Sequence, residues 1–246
     1  MTQIDDVVLE SLFPEKKEVF HTINEHFSSR RMGYIKVPTG WGKTFLAKHI
    51  MKQYYEDGKV ILFLVSKNNP LLVQTFFKDR AMTEPLFPNS VLLASGHDKV
   101  TAPALRMRIR SRDCGIVVFA SLQTVLSKRN HEVCDILSND TDLVVIDEVH
   151  NFIFNKGNDF INGIDEKSNV LGMTATPFQG VVGSVKFVEN ISGEMAEIFS
   201  KTLPQCILDG QLCELSYSII RSNQDILDIF DFSKGLSELD HPELYM

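Results

Sequence analysis

The sequence lacks any apolar run long enough to cross a membrane. Its longest runs, Val60–Val65 and Ile116–Ala120, fall well short of the roughly 18 residues a spanning helix needs. The opening residues, Met1-Thr2-Gln3-Ile4-Asp5-Asp6, carry acids where a secretory signal carries bases, so no signal peptide and a cytoplasmic location are expected. Cysteine is scarce. Cys114, Cys134, Cys206 and Cys213 form no CxxC pair and fit no zinc-ribbon or zinc-finger spacing. They read as reduced thiols, as in a cytosolic protein. His21, His26, His49, His97, His131 and His241 show no metal spacing either. With 14 glycines and 9 prolines in 246 residues, a collagen-like or disordered chain is excluded. There is no repeat, no low-complexity segment and no Gly/Pro/Ser-rich linker before about residue 200.

An excess of basic charge is also missing. The net charge is -7, from 25 bases and 32 acids. Residues 223–246 hold Asp225, Asp228, Asp231, Glu238, Asp240 and Glu243 against Lys234 alone. The remaining body is therefore close to neutral. Such a balance does not fit a protein that coats nucleic acid over its whole surface, but it leaves room for a local basic groove. The acidic end reads as a solvated tail. Arg106, Arg108, Arg110 and Arg112, with Lys99, form the dense basic segment. They suit either a phosphate track or a solvated surface with long side chains.

Against these absences stands a regular alternation of short apolar runs and helical patterns. Gly33–Val37, Val60–Val65, Val91–Ala94, Ile116–Ala120, Leu143–Ile146 and Val170–Met173 read as six strands, most of them buried on both faces. Lys43–Tyr55 has apolar residues at helical spacing and stops at Gly58, and Pro70–Lys78 looks helical. Strands separated by helices predict an α/β fold, a parallel sheet with helices on both faces. Leu215–Ile220 is a further strand candidate.

Val37-Pro38-Thr39-Gly40-Trp41-Gly42-Lys43-Thr44 follows the first strand and opens the first of these helices. A phosphate needs several N–H donors converging on it and positive charge nearby. Glycines let the backbone curl its N–H groups around an anion, and a helix N-terminus adds unpaired N–H groups. Thr39, Gly40, Trp41, Gly42, Lys43 and Thr44 are the expected cradle. Lys43 reaches the phosphates, and the Thr44 hydroxyl is an expected Mg²⁺ ligand. Valine stands at position 37, where the strict P-loop pattern has glycine. Trp41 either stacks on a base or covers the loop.

Asp147-Glu148-Val149-His150 ends an apolar strand. In a parallel sheet, the strand's C-terminal edge brings its carboxylates beside the phosphate loop. Asp147 is then expected to hold Mg²⁺, and Glu148 to orient or deprotonate the attacking water.

PTGWGKT (38–44), DEVH (147–150) and TATP (174–177), in this order, resemble the first ATPase lobe of superfamily 2 helicases and translocases. The branch of type III restriction enzyme helicase subunits is the most similar. The resemblance covers about residues 10–215. It implies a P-loop NTPase with a RecA-like sheet, ATP and Mg²⁺ as cofactors, and a DNA or RNA track, with DNA favoured. It implies that His150, Thr174 and Thr176 couple the nucleotide site to motion, the threonines bonding toward the 147–150 segment. It implies contacts of Ser66, Lys67, Ser95 and Ser121 with the nucleic-acid backbone. Such contacts position the track without reading its sequence.

Two departures from the family pattern stand out. Lys16 occupies the place where the family often reads adenine with glutamine. The family's second lobe, with its arginine finger, has no counterpart in the 246 residues. Residues 1–205 are the expected lobe and 206–246 a connector with an acidic end. Gln205–Leu215 resembles the stretch that leads toward a second lobe, which another chain or a missing C-terminal part would supply. Weak ATP hydrolysis and no strand separation are expected of this chain alone. The alternative is a low-turnover, nucleotide-dependent interaction module. A P-loop kinase is disfavoured, because no acceptor-binding lid is evident.

Overall fold

In the computed structural model, residues 14–213 are described, apart from 67–69, 84, 98–99, 111–113, 154–155, 182–183 and 192. The chain divides into two compact units, Met1–Leu212 and Cys213–Met246, and the fold concerns the first. Seven strands form one sheet: β1 (Met32–Lys36), β2 (Val60–Val65), β3 (Ser90–Leu93), β4 (Ile116–Ser121), β5 (Leu143–Asp147), β6 (Asn169–Thr174) and β9 (Ala196–Ser200). Their order is β3-β4-β2-β5-β6-β1-β9, and every pairing is parallel. The α-helices among the described residues are α1 (Pro14–Phe27), α2 (Lys43–Glu56), α3 (Pro70–Arg80), α4 (Ala102–Arg110), α5 (Leu122–Val125), α6 (His131–Asp140), α7 (Lys156–Asn162) and α8 (Leu203–Leu208).

The alternation along each strand explains the two layers. Leu62, Leu64, Val118, Val144 and Ile146 face one core, closed by Leu105 of α4, Val125 of α5, Ile136 of α6 and Phe160 of α7. Ile61, Phe63, Phe119, Val145 and Leu171 face the other, closed by Phe20 of α1, Ile50 of α2 and Phe76 of α3. A sheet buried on both faces needs continuous apolar strands, which is the pattern read from the sequence.

All six expected strands and both expected helices form. The seventh strand, β9, was not evident from the sequence. It lies at the sheet's edge beside β1, and none of its five residues is buried, so Ala-Glu-Ile-Phe-Ser carries no continuous apolar run. The antiparallel hairpin of β7 (Phe178–Val181) and β8 (Ser184–Phe187) also lacks that signal. Arg106–Arg110 of the basic segment lie on helix α4. On α4, Arg106, Arg108 and Arg110 are exposed; Arg106 and Arg110, four apart, share one face of the helix, while Arg108 points the other way and donates to the Ser90 carbonyl at 3.4 Å. Lys99 and Arg112 lie outside the described residues, as do Leu215–Ile220 and the acidic stretch 223–246. No helix among the described residues is long and apolar enough to cross a membrane.

Candidate nucleotide site

Because the sheet is parallel, the C-terminal ends of its strands share one edge. From β3 to β1 this edge carries Ser95, Ser121, Ser66, Asp147 with Glu148, Thr174, and then the loop 37–44. β1 and β5 are separated by β6 alone, which places them about 10 Å apart at ordinary strand spacing. The register carries the two strand ends to one level: Lys36 pairs with Thr174, and Asp147 with Met173. The Val37 N–H donates to the Thr174 carbonyl at 3.0 Å. The phosphate loop therefore starts on the first residue of TATP.

The loop's shape depends on two glycines. Gly40 has φ 89° and Gly42 φ 100°, the left-handed region that costs a Cβ-bearing residue about 1–2 kcal/mol. Gly42 is also the N-cap of α2, with its carbonyl accepting from Leu46 N–H at 3.0 Å. Lys43 is buried, and its ammonium donates to the Val37 carbonyl at 3.2 Å and the Pro38 carbonyl at 3.4 Å. Thr39 and Gly40 are exposed at the loop's mouth, and Thr44 is half-buried in the first turn of α2. Trp41 is 2% exposed, with its indole 5.9 Å from the Phe199 ring and its Nε1–H donating to Glu15 at 3.3 Å. Of the two roles open to Trp41, the structure shows the covering one.

The acid pair sits on a left-handed turn. Glu148 has φ 50°, the one non-glycine residue with positive φ among the described residues. Its N–H donates to Asp147 Oδ1 at 3.1 Å. Burial and the neighbouring Glu148 charge raise the Asp147 carboxyl above its ordinary range, while Lys43 pulls it back. Lys43 and Asp147 thus lie near enough at this strand-end edge for their charges to interact. The loop and the acid pair, some hundred residues apart in sequence, meet there.

Behind them lies a small polar network. His150 Nδ1 is 2.8 Å from Thr174 Oγ1, 3.4 Å from Glu148 Oε2 and 3.5 Å from Thr176 Oγ1. The Thr174 hydroxyl donates to the Thr176 carbonyl at 2.7 Å and accepts from Thr176 N–H at 3.0 Å. Its single proton is thus committed, so His150 is the donor, with the hydrogen on Nδ1. Burial, more than the Lys43 charge, lowers the His150 pKa, against the pull of Glu148. The expected bonds from Thr174 and Thr176 toward the 147–150 segment are present. Gly172 on β6 makes room for that segment, because a Cβ there would meet Val149 Cγ1 at 2.9 Å.

The expected nucleic-acid residues share the edge but differ in setting. Ser66 is half-buried and Ser95 exposed. Ser121 is fully buried. Its hydroxyl caps α5, accepting from Thr124 N–H at 3.3 Å and pairing with the Thr124 hydroxyl at 2.8 Å. Lys67 lies outside the described residues. Glu15, which holds the Trp41 indole, and Lys201 and Gln211, which hold Glu15, were not among the expected site residues. A buried cation and its partners far along the chain are visible only in the fold.

The donor set fits a magnesium nucleotide. Thr44 and Asp147 offer hard oxygen ligands, the kind that suits Mg²⁺. A cation would relieve the strain on the half-buried Asp147 beside Glu148. Among the described residues there is no cluster of three or more His, Cys, Asp or Glu that would hold a metal by protein ligands alone. Magnesium in phosphoryl-transfer sites is held mostly by one or two protein oxygens together with the phosphates.

Comparison with known proteins agrees with this geometry. Two ATP-dependent DNA helicases are similar in sequence: MPH1 of Debaryomyces hansenii, 29% identical over 172 residues, and mph1 of Sclerotinia sclerotiorum, 28% identical over 178. These alignments cover 67% and 68% of this chain but only 14% and 13% of those proteins. The chain therefore spans about a seventh of the length of these relatives. Among solved structures, the nuclease-deletion mutant of the Type ISP restriction-modification enzyme LlaGI, in complex with a DNA substrate mimic, matches with TM-score 0.62 and 16% identity, covering 82% of this chain and 21% of that one. The Pyrococcus furiosus Hef helicase domain matches with TM-score 0.57 and 23% identity, covering 80% and 39%. These likenesses establish a RecA-like helicase fold. The family described as type III restriction enzyme, res subunit, matches residues 10–179, well over half of the sequence, and the chain belongs to that family as a helicase-like ATPase lobe homologous to DNA helicases.

Proposed function

We propose that this lobe binds ATP with Mg²⁺ in the loop 38–44, hydrolyses it, and does so as the motor part of a DNA-directed helicase or translocase. One observation carries the reading: strand register brings the loop and the acid pair to one edge of the sheet, with Lys36 paired to Thr174, Asp147 to Met173, and Val37 N–H on the Thr174 carbonyl at 3.0 Å. In this reading Thr39, Gly40, Trp41 and Gly42 supply backbone N–H groups to the phosphates, and Lys43 exchanges its two carbonyl partners for phosphate oxygens. Thr44 and Asp147 would hold the metal. When bound, Mg²⁺ would neutralise charge on the phosphates and orient them. Glu148, turned out by its left-handed backbone, positions a water and takes its proton. His150, Thr174 and Thr176 sense that carboxylate through hydrogen bonds and pass its state to β6 and β1.

Ser66, Lys67 and Ser95 are the proposed contacts to the DNA backbone; Ser121, buried with its hydroxyl in the α5 cap, is not among them. The place of Ser66 and Ser95 on the same strand-end edge as the nucleotide site supports the assignment. The names of the relatives support DNA over RNA. Residues 1–205 are the catalytic lobe in this reading, and 206–246 a connector with an acidic end.

The deciding experiment is equilibrium binding of Mg·ATP to the Lys43→Ala variant. A buried cation that contacts phosphate contributes a charge-assisted bond, so affinity should fall by at least about tenfold. Binding like that of the unmodified chain would end this reading.

A further inference from the structure

The outer wall of the phosphate loop is built by Glu15, Lys201 and Gln211, none of them an expected site residue. Glu15, in the first turn of α1, receives hydrogen bonds from three parts of the chain. Trp41 Nε1–H reaches its Oε2 at 3.3 Å. The Lys201 ammonium reaches Oε1 at 2.5 Å, and the Gln211 amide donates to Oε2. Lys201 is 9% exposed and is held also by Asp209 at 2.6 Å and by the Gln211 oxygen at 3.0 Å. Leu212 completes the wall, since a Cβ on Gly40 would lie 3.0 Å from its Cδ2. Lys16 Nζ sits 5.1 Å from the centre of the Trp41 ring.

Trp41 stands between Gly40 and Gly42, whose backbones are the least restrained in the loop. Its own anchorage therefore decides how far the loop wanders. That anchorage is the indole packed on Phe199 and the N–H held by Glu15. Resting on the reading of the loop as a phosphate cradle, we propose that Glu15 is a positioning residue for nucleotide binding. It fixes Trp41, and with it the loop, to residues 201–212. Nucleotide occupancy and the conformation of that segment are then linked, and linkage acts in both directions. Disturbing Gln211, which bonds to Glu15 and Lys201 but to no loop residue, weakens nucleotide binding. The ionic state suits the role. Burial works against the Glu15 charge, but the bonds from Lys201 and Gln211 outweigh it and keep the carboxyl below its usual range. Lys201 is held above its usual value by Asp209 and Glu15 despite its burial.

Trp41 is the only tryptophan in the sequence, so its emission reports the loop directly. The test measures Trp41 emission and Mg·ATP affinity by calorimetry in the 246-residue chain and in Glu15→Ala, Glu15→Gln, Gln211→Ala and the double variant Glu15→Ala/Gln211→Ala. Glu15→Ala should shift the emission to longer wavelength and weaken affinity about tenfold, the worth of a charge-assisted bond. Gln211→Ala should weaken it about threefold, and the double variant should be no worse than Glu15→Ala, because both act through one carboxylate. Glu15→Gln, whose amide oxygen still accepts from the indole, should recover part of the loss. Affinities within about twofold of the parent in Gln211→Ala and in whichever Glu15 variant folds by circular dichroism would overturn the proposal, as would additive losses. If the parent binds and the variants match it, the role of Glu15 falls alone. If the parent binds no Mg·ATP, the reading of the loop falls too.

Discussion

His150 Nδ1 donates to the Thr174 hydroxyl across 2.8 Å, and that hydroxyl in turn donates a hydrogen bond to the Thr176 carbonyl at 2.7 Å. The chain of donors fixes the histidine tautomer. Nitrogen NMR on the nucleotide-free chain should show His150 protonated on Nδ1 and neutral at neutral pH. Thr174→Val keeps the shape but strands Thr176 N–H and carbonyl. It should cost about 1–3 kcal/mol of stability in denaturant melts and mix the His150 tautomers. An unchanged His150 spectrum in that variant would contradict the network.

Glu148 tests the separation of shape from chemistry. Glu148→Gln keeps the side chain's size and removes the proton acceptor, so ATP should bind with parental affinity while turnover is lost. Glu148→Gly removes the side chain and relieves a backbone that only glycine adopts freely, at φ 50°. That variant should be more stable by about 1 kcal/mol and equally inactive. Melting curves and a phosphate-release assay check both. Strain held at one residue of the acid pair is expected where function, rather than stability, selected the geometry.

Much of this site was legible beforehand because its chemistry is local. The loop 37–44 and the pair Asp147–Glu148 are short runs whose residue types state their purpose, and continuous apolar strands such as Val60–Val65 announce a sheet buried on both faces. What stayed hidden is non-local or amphipathic. β9 is half-exposed at an edge and reads like loop. The Arg106–Arg110 alternation reads only as a basic segment, yet folds as helix α4, packed through Ala102 and Leu105. Glu15 and Lys201 meet only after the sheet has closed. Ser121 ends its strand as expected, yet its hydroxyl serves α5 as a cap, a use that a small polar residue at a strand end does not advertise.

Gly172 is the position where the fold gives way to the site. A methyl group there would come within 2.9 Å of Val149 and 3.1 Å of Tyr34 Cβ, both fixed in the core. Gly172→Ala should therefore push the 149–152 turn off β6, cost about 1–3 kcal/mol as an overpacked core does, and reduce ATP turnover more than ATP affinity. Thermal melts with parallel binding and turnover assays measure the three effects. Parental stability and turnover would show that the turn yields without cost.

The Asp147 carboxyl gives a pH signature with a definite sign. Burial and then the Glu148 charge raise it above the ordinary aspartate value in the folded, nucleotide-free chain. The folded state thus holds this proton more tightly than the unfolded state. Its contribution to stability is present at acid pH and is lost as pH rises through the raised value. At neutral pH the ionised group is a burden that Asp147→Asn removes. The variant should melt at a higher temperature than the parent near neutrality, and the gap should close as pH falls toward the ordinary aspartate range. Mg·ATP should reverse the order, stabilising the parent through mass action and leaving the variant, with one metal ligand weakened, nearly unmoved. A variant that melts like the parent at every pH, or gains equally from Mg·ATP, would remove Asp147 from the site.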